Sequence, residues 1–238
     1  MVTVLVGSGL GVALRGRLPE RTRGTVTDAL GLVTLVIGAL NVAALSDEAF
    51  VSAVTSGGTL LVVLGALLLG GIVGSLLRIE ARMEAVGGWL QRRLAGEGGG
   101  AARARFVEGF VDASLVFVVG PLTVLGSLSD GLGRGIEQLA LKSTLDGFAS
   151  LAFAASLGWG VAAAAISVGV VQGALTLLGA LLGGLLPAAL VSALTATGGV
   201  LLLGVGLRLL AVKAVPVGDL LPALVVAPAL TAAVAAVL

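Results

Sequence analysis

The sequence predicts an all-α protein, a polytopic transmembrane helix bundle of about eight segments that forms a single domain over residues 1–238. The first observation is composition: 58% of the residues are hydrophobic and 11% are charged, whereas a soluble domain carries about 25% charged residues. The second is the separation of charged clusters by long apolar stretches. The third is a content of 38 glycines, which lets membrane helices approach closely. These residues cannot provide the surface of a soluble protein.

The basic residues indicate one orientation in the membrane. Of 14 Lys and Arg, four lie in Arg15–Arg23, six in Arg78–Arg105 and two at Arg208 and Lys213, so a bilayer can place 12 of them on one side. Cytoplasmic loops of membrane proteins carry such an excess of Lys and Arg. We therefore expect a multi-pass protein with these regions in the cytoplasm and with the N- and C-termini outside.

The apolar segments are expected to be helices, because a span needs about 20 residues. The first segment is shorter than a span, and the fourth is interrupted at Gly120-Pro121. The 43 residues Thr144–Leu186 are too long for one helix and are split at Gly158–Gly160. The eight segments are Val2–Leu14, Thr25–Leu45, Gly57–Leu77, Phe106–Leu125, the two parts of Thr144–Leu186, Ala188–Val212 and Val217–Leu238.

The polar stretch 78–105 favours an amphipathic helix on the cytoplasmic surface. An ordinary solvated linker helix is the alternative. The apolar residues that recur at helical spacing are Ile79, Met83, Val86, Trp89 and Leu90.

An internal repeat is indicated by a shift of 168 residues, which needs no gap. Chance similarity in a chain rich in Gly and Leu is the alternative. The repeat would divide the domain into 1–77 (repeat one), 78–105 (cytoplasmic amphipathic linker), 106–160 (central helices) and 161–238 (repeat two). The halves would have inverted topology, which is common among secondary transporters. The shift places Gly11, Gly16, Leu18, Pro19, Thr27, Gly31 and Gly38 on Gly179, Gly184, Leu186, Pro187, Thr195, Gly199 and Gly206.

Ionisable residues within spans are costly and usually functional. Asp146 opens a largely apolar segment and lies four residues after Lys142, so the two can pair on one helix face, beside Ser143. They would either bind a cation or proton or anchor a helix end at the membrane boundary. Asp112 lies four residues after Glu108 and deeper in its segment; it is a candidate site residue or part of a solvated helix start.

The stretch from Gly120 to Ser127 is the most distinctive backbone feature. Pro121 removes a hydrogen-bond donor, and Gly120 and Gly126 permit a turn or a close approach. Non-helical backbone at membrane depth occurs where it is buried in protein or lines a cavity. The stretch would expose carbonyl oxygens to a bound ion; an ordinary kinked helix is the alternative.

Four further polar residues are secondary candidates. Asp28 opens the second segment and favours a helix N-terminus. Asn41 is an isolated polar residue that is expected to hydrogen-bond between helices. Arg208 lies near the inner interface, where its side chain can reach water, and Asp219 is its candidate counter-ion.

The absence of Cys and His excludes thiol chemistry and the usual zinc and haem ligands. We expect no enzyme, no cofactor and no metal site. The sequence predicts a small secondary transporter or ion-coupled carrier of unknown substrate, with one candidate site among Asp112, the Gly120–Ser127 stretch and the Lys142–Asp146 group. The alternative is a non-transporting membrane scaffold that recruits partners. Expected partners are the lipid bilayer, a small ion or solute and further copies of the chain, but not nucleic acid.

Several stretches together resemble the bacterial membrane-protein family known as domain of unknown function 554, the YdfK/YqgA-like proteins. The resemblance implies a polytopic protein of the bacterial inner membrane and no established activity. The stretches are Arg17–Arg21, Gly31-Leu32 with Ile37-Gly38, Gly126-Ser127 with Asp130–Leu132, Lys142-Ser143 with Leu145–Gly147, Gly206–Leu210, and Leu221–Leu224.

Overall fold

Helices provide all the secondary structure in the computed structural model, within the ranges that it describes: residues 1–15, 19–94, 100–119, 121–133, 135–182 and 187–237. The predicted all-α class is confirmed for these ranges. The helices are α1 (Val2–Arg15), α2 (Glu20–Val42) with a 3₁₀ turn (Ala43–Ser46), α3 (Glu48–Val54), α4 (Ser56–Leu77), α5 (Ile79–Leu94), α6 (Gly100–Val118), α7 (Pro121–Gly131), α8 (Glu137–Leu157), α9 (Gly160–Leu182), α10 (Ala188–Leu209), α11 (Val217–Leu220) and α12 (Ala223–Ala235).

Within the described ranges, five helical regions are long and apolar enough to cross a membrane: α2 with its 3₁₀ turn, α4, α9, α10, and α11 with α12. The bent pair α6–α7 would be a sixth if it forms one span. Helix α1 has 14 residues, and α8 has 21 residues but carries Lys142 and Asp146. The outer faces of the helices expose apolar side chains, such as Leu76 at 80% and Val225 at 74%, as expected of a lipid-facing surface.

Some helix bounds differ from those expected. Helix α6 begins at Gly100, so the polar linker ends earlier than residue 105 and the basic residues that follow form the first turns of α6. The last segment is two helices, since Pro222 separates α11 from α12. The connection between α2 and α4 contains α3, whose first turn is capped by a hydrogen bond from Ala49 N to Asp47 Oδ1 (3.1 Å).

Glycine allows α1 to lie directly against α8. A side chain at Gly7 or Gly11 would collide with the backbone of Gly147 or Leu151. The order of these contacts shows that α1 and α8 run parallel, and the guanidinium group of Arg15 lies against Gly158 at the end of α8.

Helices α2 and α10 cross in opposite directions through paired glycines. A Cβ atom at Gly38 would lie 2.9 Å from the carbonyl oxygen of Gly199, and one at Gly206 would lie 3.1 Å from that of Gly31. The neighbouring leucines repeat the arrangement: Leu35 packs on Gly206, and Leu203 packs on Gly38. These contacts place backbone against backbone, which is how membrane helices gain close packing.

Helix α5 lies along α6 and carries an apolar face. Leu90 is buried and Met83 packs against the core. On the outer side Val86 and Trp89 are 48% and 51% exposed. The guanidinium carbon of Arg93 lies 5.8 Å from the centroid of the Trp89 ring. This arrangement suits a helix at a membrane interface.

The centre of the molecule is formed by α6, α8, α9 and α10. Phe117 of α6 meets Phe153 of α8 edge to face, with 6.0 Å between ring centroids. Ser114 of α6 donates a hydrogen bond to Ser167 of α9 (2.9 Å). Around these contacts, all four helices contribute buried apolar side chains to one cluster.

Candidate functional site: a buried ion-pair cluster

Three helices meet at Arg208, in the last turn of α10. Its terminal nitrogen pairs with Oε1 of Glu80 on α5, and its Nε lies 3.0 Å from Oδ1 of Asp112 on α6. The side chain of Arg208 is 19% exposed, that of Glu80 is 14% exposed and that of Asp112 is 1% exposed. One guanidinium group thus compensates two carboxylates that are almost removed from solvent.

The turn between α4 and α5 positions Glu80. Arg78 has a left-handed backbone (φ +51°) and ends α4, so that α5 starts immediately in a new direction. Asp219 Oδ1 then accepts a hydrogen bond from the backbone N–H of Glu80 (2.9 Å), which satisfies a free donor in the first turn of α5. In return Glu80 Oε2 accepts from the backbone N–H of Gly218.

Gly218 is required for this approach. A Cβ atom there would lie 3.0 Å from Cα of Glu80, closer than side chains normally pack. Asp219, the expected counter-ion of Arg208, binds the backbone of Glu80 instead, and Arg208 pairs with Glu80 and Asp112.

Asp112 is held by charge alone. No described residue directs a hydrogen bond at either of its carboxylate oxygens, although Arg208 lies within ion-pair distance. A buried carboxylate normally needs both an opposite charge and hydrogen bonds. This deficit makes Asp112 suited to bind a cation or a proton.

A cleft of about 540 Å³ leads to this cluster between α5 and α6. Arg208 lines it, together with Glu84 of α5 and with Arg103 and Glu108 of α6. Four charged side chains and several alanines therefore surround a space large enough for a small solute. Asp112 lies behind Arg208, whose Nε it faces.

The break between α6 and α7 lies deeper along the same helix. Gly120 itself is outside the described residues. The axes of α6 and α7 differ by 75°, and Pro121 begins α7. The hydroxyl of Thr123 donates a hydrogen bond to the carbonyl oxygen of Phe117 (3.1 Å). This bond satisfies one of the carbonyl groups at the end of α6. Beyond it, Gly126 packs against Leu139 of α8.

Ser127 is fully buried, and no described residue hydrogen-bonds its hydroxyl.

Lys142, Ser143 and Asp146 lie elsewhere. The ammonium group of Lys142 pairs with Asp146 Oδ2, with side chains 6% and 13% exposed. Ser143 shares a 2.9 Å hydrogen bond with Thr3 of α1. The pair is thus enclosed by protein, as expected of a charge within a bundle.

The structure separates this pair from Asp112. Gly109 of α6 packs on Leu157 at the end of α8, whereas Asp146 lies eleven residues earlier on α8, about 16 Å along the helix. The Phe117–Phe153 contact lies between them. The candidate residues that the sequence placed in one site therefore belong to two separate ion pairs and a helix break.

The remaining secondary candidates do not join the cluster. Asp28 is exposed on α2. Asn41 is half-buried, and its Cβ lies against Gly199 in the α2–α10 crossing. Glu80 is the residue that sequence reasoning missed, because it lies in a stretch crowded with charges. Its only distinguishing feature is an acidic group in the first turn after a long apolar segment.

Comparison with known proteins places the chain among membrane proteins without an assigned activity. The family described as "Protein of unknown function (DUF554)" matches residues 1–232. The uncharacterized protein YqgA of Escherichia coli (strain K12) is 31% identical over 230 residues, which cover 97% of this chain and 93% of the relative. The uncharacterized membrane protein YdfK of Bacillus subtilis (strain 168) is 25% identical over 228 residues, 95% of this chain and 91% of the relative. No solved structure matches the chain.

Proposed function

Because the chain belongs to the DUF554 family, which includes a protein called a membrane protein, we propose that it is a small ion-coupled carrier of the bacterial inner membrane. The observation that carries this proposal is Asp112: a carboxylate that is 1% exposed, lacks hydrogen bonds from described residues and lies 3.0 Å from Arg208 at a charged cleft. The proposal is for a carrier and not for an enzyme.

Coupling follows from competition for Arg208. When Asp112 binds a proton or another monovalent cation, its attraction for the guanidinium group falls, because the Coulomb energy between them depends on both charges. Arg208 keeps its bond to Glu80 and presents its remaining donors to the cleft. A solute that binds Arg208 would in turn change the ion affinity of Asp112 by the same factor.

Two helix contacts support an inverted repeat. Shifted by 168 residues, Gly31 and Gly38 correspond to Gly199 and Gly206, and the observed contacts join Gly31 to Gly206 and Gly38 to Gly199. An exchange of partners of this kind is what a two-fold axis between the two helices produces.

The helix starts agree with the same shift. Helix α10 begins 168 residues after α2 begins at residue 20, and α12 begins 167 residues after α4 begins at residue 56. A carrier of this design would change its open side by moving one repeat against the other.

The sidedness is supported by the position of the basic regions. Arg15 lies with Arg105 and Gln91 around one pocket, and Arg208 pairs with the first turn of α5. The three basic regions thus meet at one end of the bundle, which we place in the cytoplasm by the positive-inside rule.

The test is charge movement in proteoliposomes adsorbed to a solid-supported membrane. Jumps of pH and of solute, over a panel of amino acids, organic acids, sugars and inorganic ions, are expected to produce a current from the native protein. Asp112→Asn should abolish the current, and Asp28→Asn, a matched change at an exposed carboxylate, should retain it. Absence of current from the native protein across the panel contradicts the carrier proposal.

A second candidate function is a membrane scaffold that recruits a partner through α5. The exposed Val86 and Trp89 on this helix favour it. Cross-linking from Val86 to a specific protein in cells, together with no current in the vesicle experiment, would support the scaffold instead.

A further inference from the structure

A basic pocket lies at the end of the molecule where α1, α6 and the α8–α9 turn meet. It has a volume of about 270 Å³, and the described residues that line it include Arg15, Gln91 and Arg105 but no acidic residue. The Nε of Arg105 donates to the carbonyl oxygen of Ala101 (3.4 Å). The pocket is therefore suited to a small anionic group such as a phosphate.

An apolar groove continues from this pocket. The groove has a volume of about 590 Å³, runs between α1 and α9, and shares Phe106 and Trp159 with the pocket. Met1, Leu5 and Ile166 line its far part. From Trp159 to Ile166 the groove extends about 10 Å along the helix, a large part of the roughly 15 Å that one acyl chain occupies in half of a bilayer.

Trp159 is fixed at the junction of pocket and groove. Gly158 turns the chain with φ +86°, a conformation that other residues rarely adopt. Gly160 lets the carbonyl oxygen of Phe106 lie directly against the start of α9. Trp159 itself is 56% exposed, as is common for tryptophan at the level of lipid headgroups.

From this continuity of a basic pocket with an apolar groove, we infer that the cavity binds an anionic phospholipid. The lipid phosphate pairs with Arg15 and Arg105, and one acyl chain lies in the groove against Leu5 and Ile166. A soluble phosphate would use the pocket but leave the groove without a role. Basic pockets between helices on the cytoplasmic side commonly bind anionic headgroups. This site is separate from Asp112 and does not depend on the carrier proposal.

The test uses Trp159 as the reporter. The chain has two tryptophans, so Trp89→Phe leaves only Trp159. This variant is placed in phosphatidylcholine vesicles that contain either brominated phosphatidylglycerol or brominated phosphatidylcholine at equal mole fraction. We expect the brominated phosphatidylglycerol to quench Trp159 more strongly.

A further substitution separates a specific site from general surface attraction. Arg105→Gln should lower the affinity for phosphatidylglycerol about fivefold, since one basic side chain near a membrane surface contributes about 1 kcal/mol. Arg92→Gln, exposed on α5 and not among the residues that line the pocket, should leave the preference unchanged.

Three results would overturn the inference. They are equal quenching by the two lipids, equal effects of Arg92→Gln and Arg105→Gln, and loss of the preference on addition of inorganic phosphate. The last result would show a soluble-anion site. Because Arg105 is exposed on α6, its substitution should leave the fold intact, which thermal unfolding of the same sample checks.

Discussion

Arg208 is the residue on which two carboxylates depend. Without Arg208, the Glu80 carboxylate still accepts a hydrogen bond from the backbone N–H of Gly218 in α11. The described surroundings of Asp112 offer it only the charge of Arg208. Loss of one partner from a buried ion pair leaves the other charge uncompensated, which costs more than the pair itself contributes. Substitution of Arg208 should therefore destabilise the protein more than substitution of Asp112.

Arg208→Ala should lower the free energy of unfolding by about 3 kcal/mol, because it leaves two acidic groups without a cation. Asp112→Asn should cost much less, since Arg208 keeps Glu80. Thermal unfolding in detergent, followed by tryptophan fluorescence, measures both, with Asp28→Asn as the exposed control. Equal melting temperatures for Arg208→Ala and Asp112→Asn would contradict the arrangement.

Individual residues show why sequence reasoning found parts of this site and not the whole. Asp112 and Arg208 were predicted because a charge within an apolar segment is rare. Glu80 was missed because its partners, Gly218 N–H and Arg208, are more than 120 residues away in the chain. Asp112 and Asp146 were expected to lie close together because their segments are neighbours in the sequence. In the structure α8 begins at Glu137, before the apolar part of its segment, and Asp146 lies far along this helix from the level of Asp112.

At the scale of elements, the α2–α10 crossing depends on the absence of side chains. Gly38→Ala should lower the free energy of unfolding by about 2 kcal/mol, because the added methyl group forces apart two backbones. Its Cβ atom would lie 2.9 Å from the Gly199 oxygen.

The matched control for this change is Gly173→Ala on α9, where no atom lies within 4 Å of the added Cβ. This variant should unfold at the native temperature or above it, since Ala favours a helix over Gly. A Gly38→Ala protein as stable as Gly173→Ala would show that the two helices are not in close contact.

The break between α6 and α7 has its own stabilising contact. Thr123→Val removes the hydroxyl that binds the Phe117 carbonyl and keeps the shape of the side chain, so it should cost about 1 kcal/mol or more, because the oxygen stays buried. Thr144→Val is the control, since its hydroxyl makes a bond of similar length within one turn of α8 at the surface. Unfolding midpoints that do not differ between the two variants would count against the observed contact.

The sequence predicted where the helices lie better than it predicted the residues at which they begin and end. Apolar length located the helices near every expected segment, since the bilayer sets their size. The start of α6 at Gly100, inside the expected linker, was not predicted because Arg103 and Arg105 lower the hydropathy of this stretch. Arginine nevertheless favours a helix, so the helix extends through both residues. The break at Pro121 was predicted, because proline lacks a backbone N–H and the glycine before it in the sequence permits a turn.

For the whole molecule, the gathering of basic regions at one end predicts the orientation. The chain contains no Cys, so single cysteines report sidedness without background. Arg92→Cys on α5 should be protected from a membrane-impermeant maleimide in intact cells, and Asp47→Cys, before α3, should be labelled. Labelling of Arg92→Cys from outside would reverse the topology.

The parallel contact of α1 with α8 affects how the protein is made. Gly7 meets Gly147, which leaves the ribosome 140 residues later, on the order of 10 s at usual rates of synthesis. During that interval the glycine face of α1 lacks α8, its partner in the described structure, and must rest against lipid or the insertion machinery. We therefore expect proteins that shield nascent membrane helices to protect α1 until α8 has been made.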